Sequence, residues 1–393
     1  MILRGLLLIS VLGLISSTIY LLLILDAGYR FRKAKLNPTP SGKNLPRVTV
    51  LKPLHGMEPR LKENLESFFL QDYPDFEIIF GARRADDPAL PLVEALLREY
   101  PQVQSQVVLS GEPAYPNAKV FALEKMLTVA TASFLVITDS DVCVGRDCLR
   151  RVVTPLLDSE NGVVTCMYKG MSAGGFWSKL EALGMSIEMS SGVLAANRLE
   201  GMRFALGPTM ATRMDVLESI GGIAKLGHYC ADDYLLGNLA YGLGRKVVLS
   251  DHIVGHVAMN TSAGTSFRHQ VRWMRSTRFS RGAGHAGTGL TYAIPFGLLG
   301  LASGVVRHNL PLAFGLFGWA VANRVIQAVA IGWGVIGDAE SLSLCWLYPL
   351  RDLTGFFVWC ASFLGNEVLW RNERYRLLTD GKMVRVLTSK KNG

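Results

Sequence analysis

A chain of 393 residues that is 49% hydrophobic and 19% charged, with a mean hydropathy of +0.25, is more apolar than a single soluble domain needs and reads first as a membrane protein. Its net charge of +9, from 41 Lys and Arg against 32 Asp and Glu, admits a nucleic-acid surface, an anionic membrane face or an anionic substrate without choosing among them. The six cysteines form no CxxC pair and no His/Cys zinc spacing, so neither a disulfide framework nor structural zinc is indicated and reduced cytosolic thiols are expected.

Residues 5–25, "GLLLISVLGLISSTIYLLLIL", are uncharged and long enough to cross a bilayer as a helix. The run is too long for the apolar core of a signal peptide, and no small-residue cleavage pattern follows it. Arg30, Arg32, Lys33 and Lys35 follow, against only Arg4 before, so the positive-inside rule places the next segment in the cytosol. A transmembrane helix over 1–27 and a basic linker over 28–46 result, the linker ending in the Pro/Gly/Ser stretch "LNPTPSGKNLP".

From Val48 to about Val248 short apolar, β-branched runs alternate with helical stretches, the pattern of an α/β domain with a largely parallel sheet. The predicted strands are "RVTVLKPL", "FEIIFGA", "VQSQVVLS", "SFLVITDSD" and "NGVVTCMY". Between them "EPRLKENLESFFLQD" and "LPLVEALLREY" carry apolar residues at helical spacing. Ligands of such sheets sit at the carboxyl ends of the strands, which is where Asp139 and Asp141 fall. Two carboxylates at i, i+2 can turn toward one hard cation, magnesium or manganese, that keeps other positions for phosphate oxygens. The same Asp-Ser-Asp also makes an ordinary solvated turn.

Further on, "HYCADDYLLG" sets Asp232 and Asp233 before a helical run. There they could cap the helix or deprotonate an acceptor hydroxyl. "FRHQVRWMRSTRFSR" gathers Arg268, Arg272, Arg275, Arg278 and Arg281 around Trp273, a cluster suited to a leaving pyrophosphate or to a stripe at a membrane surface. Uncharged runs then cover 290–306, 309–323, 325–337 and 353–366, broken by Arg307, Arg324 and the pair Arg351 and Asp352. Arg324 inside a bilayer marks a paired or functional position unless it snorkels. Two full spans plus one re-entrant or interfacial helix keep the basic tail from Arg371 in the cytosol.

On these motifs the chain resembles the ceramide glucosyltransferase family of GT-A glycosyltransferases, including bacterial relatives such as the hopanoid-biosynthesis glycosyltransferases. "LKPLHGMEPRLKENLESFFLQDYPDFEIIFGA" resembles the family's opening block, "PNAKV" its nucleotide-side motif, "TDSD" its metal motif, "RMDVLESIGGI" with "ADDYLLG" its acceptor block, and "WRNERYRLL" its cytosolic tail. The resemblance implies an α/β fold of the GT-A type, Rossmann-like with a mostly parallel sheet, over 47–281. This cytosolic domain would lie between the N-terminal transmembrane helix and a C-terminal membrane region over 282–370, with a basic cytosolic tail over 371–393. It further implies that Asp139 and Asp141 bind a divalent metal and the sugar nucleotide, that Lys119 stabilises the leaving UDP, and that Asp233 is the catalytic base. Arg272 and Trp273 belong to the (Q/R)xxRW motif that holds the diphosphate and the acceptor side.

Two positions depart from the family pattern. Arg84 stands where the family has a uridine-contacting aspartate, which passes that role to Asp86 or Asp87. His269 opens the RW motif in place of Gln or Arg; it could donate to phosphate or be a packed structural residue.

The expected activity is inverting transfer of a hexose from a UDP-sugar, UDP-glucose first, to a primary hydroxyl of a ceramide-like membrane lipid by a multi-pass membrane enzyme, in the inner membrane if bacterial. The alternatives are UDP-N-acetylglucosamine transfer to a hopanoid and a processive polysaccharide synthase, though about 80 residues between Leu290 and Trp370 offer too few helices for a channel. A nucleotide sensor would have no reason to keep a base beside a metal pair. A nucleic-acid partner is not expected, because the arginines lead into the apolar region.

Overall fold

The computed structural model describes residues 2–35, 45–370 and 373–386. The Pro/Gly/Ser linker therefore lies almost wholly outside the described residues, as do Arg371 and the last seven positions. The chain divides into two compact units: Met1–Leu36, Lys169–Leu199 and Asn260–Asn366 in one, Asn37–Tyr168, Glu200–Met259 and Glu367–Gly393 in the other.

The second unit is built on a sheet of eight strands: β1 (Val48–Pro53), β2 (Phe76–Ala82), β3 (Gln104–Leu109), β4 (Phe134–Thr138), β5 (Val142–Cys143), β6 (Asn161–Ser172), β7 (Thr209–Arg213) and β8 (Lys246–Ala258). Their order is β3-β2-β1-β4-β7-β6-β8-β5. β3, β2, β1 and β4 run parallel, with Val50 level with Ile78 and Val136. β7 then runs antiparallel to both β4 and β6. All six residues of β1 are buried, which explains its near-continuous apolar sequence: a parallel strand covered on both faces has no polar side. Every predicted strand is present, and the helices Leu61–Phe69, Leu90–Glu99 and Ala118–Leu127 supply the crossovers. This is the Rossmann-like α/β architecture expected of the GT-A class. A separate antiparallel sheet of β9 (Glu367–Trp370), β10 (Glu373–Leu377) and β11 (Met383–Arg385) closes the chain, where the sequence reads as a basic tail.

The first unit is helical. Leu3–Ala34 and Leu310–Trp333 are the two described helices long and apolar enough to cross a membrane, while Ile294–Val306, with 13 residues, reaches only about 20 Å at 1.5 Å per residue. Glycines let that shorter helix pack closely: a Cβ on Gly304 would stand 2.6 Å from the Ala313 Cα, the small-residue packing common between membrane helices. Arg324 is paired, as a buried charge demands. Its Nη1 lies 3.0 Å from Asp352 Oδ1, both side chains being 2% exposed. The other Asp352 oxygen accepts from the backbone N–H groups of Ala293 and Ile294.

Candidate functional site

At the end of β4 the backbone is locked before the acidic turn begins. Thr138 Oγ1 donates to the Pro208 carbonyl, Asp139 N–H donates to the same carbonyl, and the fully buried Lys52 donates through Nζ to the carbonyls of Asp139 (2.7 Å) and Val142 (3.3 Å). Burial pushes the Lys52 ammonium down to about 7 in spite of Asp141 and Asp139 nearby. A lysine buried away from solvent thus holds the turn.

The turn sends its two carboxylates to different partners. Asp139 Oδ1 lies 2.7 Å from Lys119 Nζ. Asp141 Oδ2 lies 3.1 Å from His256 Nε2, and its backbone carbonyl accepts from Val257 N–H, which fixes it against β8. Burial pushes Asp141 up, but His256 and Lys52 outweigh it and hold the carboxyl below the usual aspartate value. Asp141 Oδ1 is buried with no hydrogen-bond partner, and an orphaned anionic oxygen is costly unless something completes it. Among the described residues no three His, Cys, Asp or Glu side chains gather to hold a metal. The donor set for a cation is therefore these two carboxylates, and it fits a hard divalent ion that takes its other ligands from phosphate and water.

Lys119 is the hub. It opens the Ala118–Leu127 helix, capped by Asn117, whose side chain accepts from Val120 N–H and donates to the Tyr229 carbonyl and to Asp232 Oδ1. Lys119 Nζ also lies 3.7 Å from Asp232 Oδ2. Burial alone would lower its pKa, but Asp139 and Asp232 reverse this and hold it above the ordinary lysine value. Asp232 and Asp233 begin the helix Asp232–Gly242, and neither caps it; the cap position is Ala231. Asp233 accepts from Gly207 N–H (2.6 Å) and Tyr234 N–H (2.8 Å). A Cβ on Gly207 would lie 3.0 Å from that same Asp233 oxygen, so a side chain there would crowd the contact. Desolvation first, and the neighbouring Asp232 second, push Asp233 up to about 6, a value suited to accepting a proton near neutrality.

An open cleft of about 670 Å³ of empty space, open solvent included, lies beside this cluster. Pro53, Leu54 and His55 line it from the end of β1, Arg83 from beyond β2, Ser110 and Gly111 from beyond β3, and Lys119 from its helix. Trp370, Glu373 and Tyr375 line it from the terminal sheet. Asp86 is exposed, and Asp87 accepts from the N–H groups of Gly56 and Ala89; neither lines the cleft.

His269, Arg272 and Trp273 belong to the helical unit, on the helix Ala263–Ser280. His269 Nδ1 lies 2.8 Å from Glu181 Oε1 and its ring 4.3 Å from that of Trp273. Glu181 is almost fully buried and also accepts from Ser266 and Asn260. Arg275 donates to the Leu364 carbonyl and Arg278 to those of Ser362 and Gly365, so these two arginines satisfy carbonyls at the C-terminus of the Tyr348–Ser362 helix. Lys52, His256 and Glu181 escape sequence reasoning. A lysine inside the otherwise apolar "TVLKPL" is the one signal that could have found any of them.

Buried lysines and clustered carboxylates at the carboxyl ends of parallel strands stand where ligands of such sheets bind. The sequence profile of Glycosyl transferase family 21 matches residues 7–383, and the chain belongs to that family. Ceramide glucosyltransferase 1 of Caenorhabditis elegans is 25% identical over 382 residues, covering 95% of this chain and 80% of the relative. Ceramide glucosyltransferase 3 of the same organism is 24% identical over 347 residues, covering 87% and 75%. The ceramide glucosyltransferase of Komagataella phaffii reaches 34% over 166 residues, 39% of this chain and 32% of its own. Among solved structures, a mannosyltransferase from Pyrobaculum calidifontis in complex with GDP-Man and Mn2+ gives a TM-score of 0.48 at 18% identity, covering 89% of this chain and 99% of that one. S. aureus TarS 1–349 in complex with UDP-GlcNAc gives 0.41 at 15%, covering 87% and 99%. At those scores neither adds to the fold read from the strand order.

Proposed function

We propose that this glycosyltransferase moves a hexose, glucose first, from a UDP-sugar to a primary hydroxyl of a ceramide-like membrane lipid, with inversion at the anomeric carbon. The observation that carries this reading is Asp233: a single half-buried carboxylate, oriented by two backbone N–H groups and raised to about 6, in a family whose relatives include ceramide glucosyltransferases. In this mechanism Asp233 takes the proton of the acceptor hydroxyl while the hydroxyl oxygen forms the bond to the anomeric carbon. The bond from that carbon to the diphosphate oxygen breaks, and its electron pair leaves with UDP. Lys119, positively charged and braced by Asp139 and Asp232, faces the departing diphosphate. Asp139 and Asp141 would hold a divalent cation, magnesium or manganese, which when bound supplies further neutralisation of that charge. One base suffices for a single displacement, whereas a retaining route through a covalent intermediate would need a carboxylate nucleophile as well.

Arg272 and Trp273 serve the diphosphate and acceptor side in this reading, and His269, held by Glu181, orients Trp273. The run of Arg30, Arg32 and Lys33 after the first apolar helix supports a cytosolic catalytic unit in a multi-pass protein. The direct test is mass spectrometry of the lipids made by membranes containing the protein and supplied with a panel of UDP-sugars. A new hexosyl lipid is expected with one of them, and its absence with every donor and with added ceramide would sink the proposal.

Two expectations follow from the site. The first concerns pH: the base must be unprotonated, so kcat/KM should rise with pH and level off above about 6. A profile flat from pH 5 to 8 would remove Asp233 from the rate-determining protonation. The second concerns the cation. UDP should bind at least about tenfold more weakly after chelation of divalent ions, and Asp141→Ala should abolish that difference while leaving metal-free binding unchanged. Undiminished UDP binding and transfer in excess EDTA would reduce the acidic turn to a structural feature.

A further inference from the structure

The terminal sheet is bound firmly into the catalytic unit. Val368, Tyr375, Leu377 and Met383 are buried. Met383 N–H donates to the His228 carbonyl at 2.7 Å, and Lys382 pairs with Tyr229 in a single antiparallel bridge. Residues 228–231 lead straight into Asp232 and Asp233, and Asn117 grips the same segment through the Tyr229 carbonyl. The sheet therefore braces the loop that carries the proposed base.

It also brings to the cleft a kind of surface that the rest of the lining lacks. Glu373 is the one carboxylate among the described residues lining the cleft, and Trp370 and Tyr375 are its large aromatic side chains. Tyr375 is 5% exposed and donates its hydroxyl to Glu373 Oε2 at 2.5 Å, while Arg385 donates to Oε1 at 2.9 Å. The carboxylate is thus fixed from two sides, and each oxygen keeps a further lone pair. Trp370 is half-buried, with its ring 6.4 Å from that of Tyr375 at 60°. Lys119 and Arg83 also line the cleft; Arg83 pairs with Glu112, and its Nε is buried with no hydrogen-bond partner. The lining thus combines a cation suited to phosphate, Lys119, with the aromatic and carboxylate groups of the terminal sheet, which suit a flat, hydrogen-bonding ring. Uracil offers a π face to an indole and an N3–H donor to a carboxylate; cytosine offers a bare acceptor nitrogen at the same position and would be repelled.

We propose that the C-terminal sheet is the nucleobase half of the donor site, with Trp370 stacking on the base and Glu373 accepting from its N3–H. This rests on the reading of the protein as a UDP-sugar enzyme. The test uses the full chain in detergent, titrated with UDP, CDP and inorganic pyrophosphate. Trp370→Ala should weaken UDP and CDP by about tenfold, leave pyrophosphate within about twofold, and be rescued by Trp370→Phe. Glu373→Gln should narrow the preference for UDP over CDP by about tenfold, because the amide can present a donor to cytosine. Unchanged UDP affinity in Trp370→Ala, an equal loss for pyrophosphate, or an unaltered UDP-to-CDP ratio in Glu373→Gln each overturns the assignment. Failure of the UDP-sugar reading would show already in the unaltered protein, which would then bind neither nucleotide. Failure of the present inference shows only in the variants.

Discussion

Asp233→Asn protein is expected to transfer sugar about 10² to 10⁴ times more slowly than the natural sequence, the usual contribution of a positioned general base, while binding UDP with nearly unchanged affinity. The two effects separate because the proposed role of Asp233 is toward the acceptor proton, whereas Lys119 and Asp139 serve the donor. The substitution does disturb one local contact. The carboxylate accepts from both Gly207 N–H and Tyr234 N–H, and an amide can accept only through its oxygen, so one N–H faces an NH₂ group at a cost of about 1–3 kcal/mol. UDP titration of the same preparation therefore also reports whether the donor half is intact. Single-turnover transfer at saturating UDP-sugar is the deciding measurement. A variant that turns over at the original rate would remove Asp233 from the mechanism.

The parallel half of the sheet was legible in the sequence because of its burial. β1, β2 and β4 are covered on both faces, and a doubly covered strand has to be written in apolar, β-branched residues. Asp139, Lys119 and Asp233 were legible because chemistry at strand ends and helix starts leaves short motifs. The contacts among them were not, since Lys119 meets Asp232 across more than a hundred positions and no local pattern encodes such a meeting. Lys52 is instructive: it sits in a buried run, and the physical reason, two backbone carbonyls in need of a donor, exists only once the acidic turn has folded over it.

The terminal sheet was hidden for the opposite reason. "WRNERYRLL" is dense in charge and reads as a solvated tail. Its strands bury only alternate residues, such as Tyr375 and Leu377, while Arg376 between them pairs with Glu367 on the exposed face and Glu373 pairs with Arg385 on the side of Tyr375. The period of two was present but faint, because one apolar face of five residues gives too few repeats to outweigh the charges. Arg275 and Arg278 misled in the other direction. Their spacing with Trp273 suggests a phosphate site, and the structure commits both to helix-end carbonyls.

Asp352→Ala should be the most damaging single change in the helical unit. It removes the anionic partner of Arg324, whose side chain is 2% exposed and keeps only the Asn323 amide oxygen among the described residues, and at the same time strips the acceptor from the N–H groups of Ala293 and Ile294 at the start of a packed helix. Leaving one member of a buried ion pair uncompensated costs about 3–5 kcal/mol, and the two freed N–H groups add to this less than their separate costs of about 1–3 kcal/mol each, since all three share one acceptor. The unpaired charge is the larger part, which a second substitution isolates. Arg324→Leu combined with Asp352→Asn removes both charges yet keeps an amide oxygen for the helix start, and replacement of a buried pair by uncharged groups is often close to neutral. In detergent, the temperature at which the protein loses its monodisperse elution should fall sharply for Asp352→Ala and recover most of the way for the double variant. A double variant as unstable as the single one would mean that the helix-start hydrogen bonds and packing hold this region together, and that Arg324 is an incidental charge.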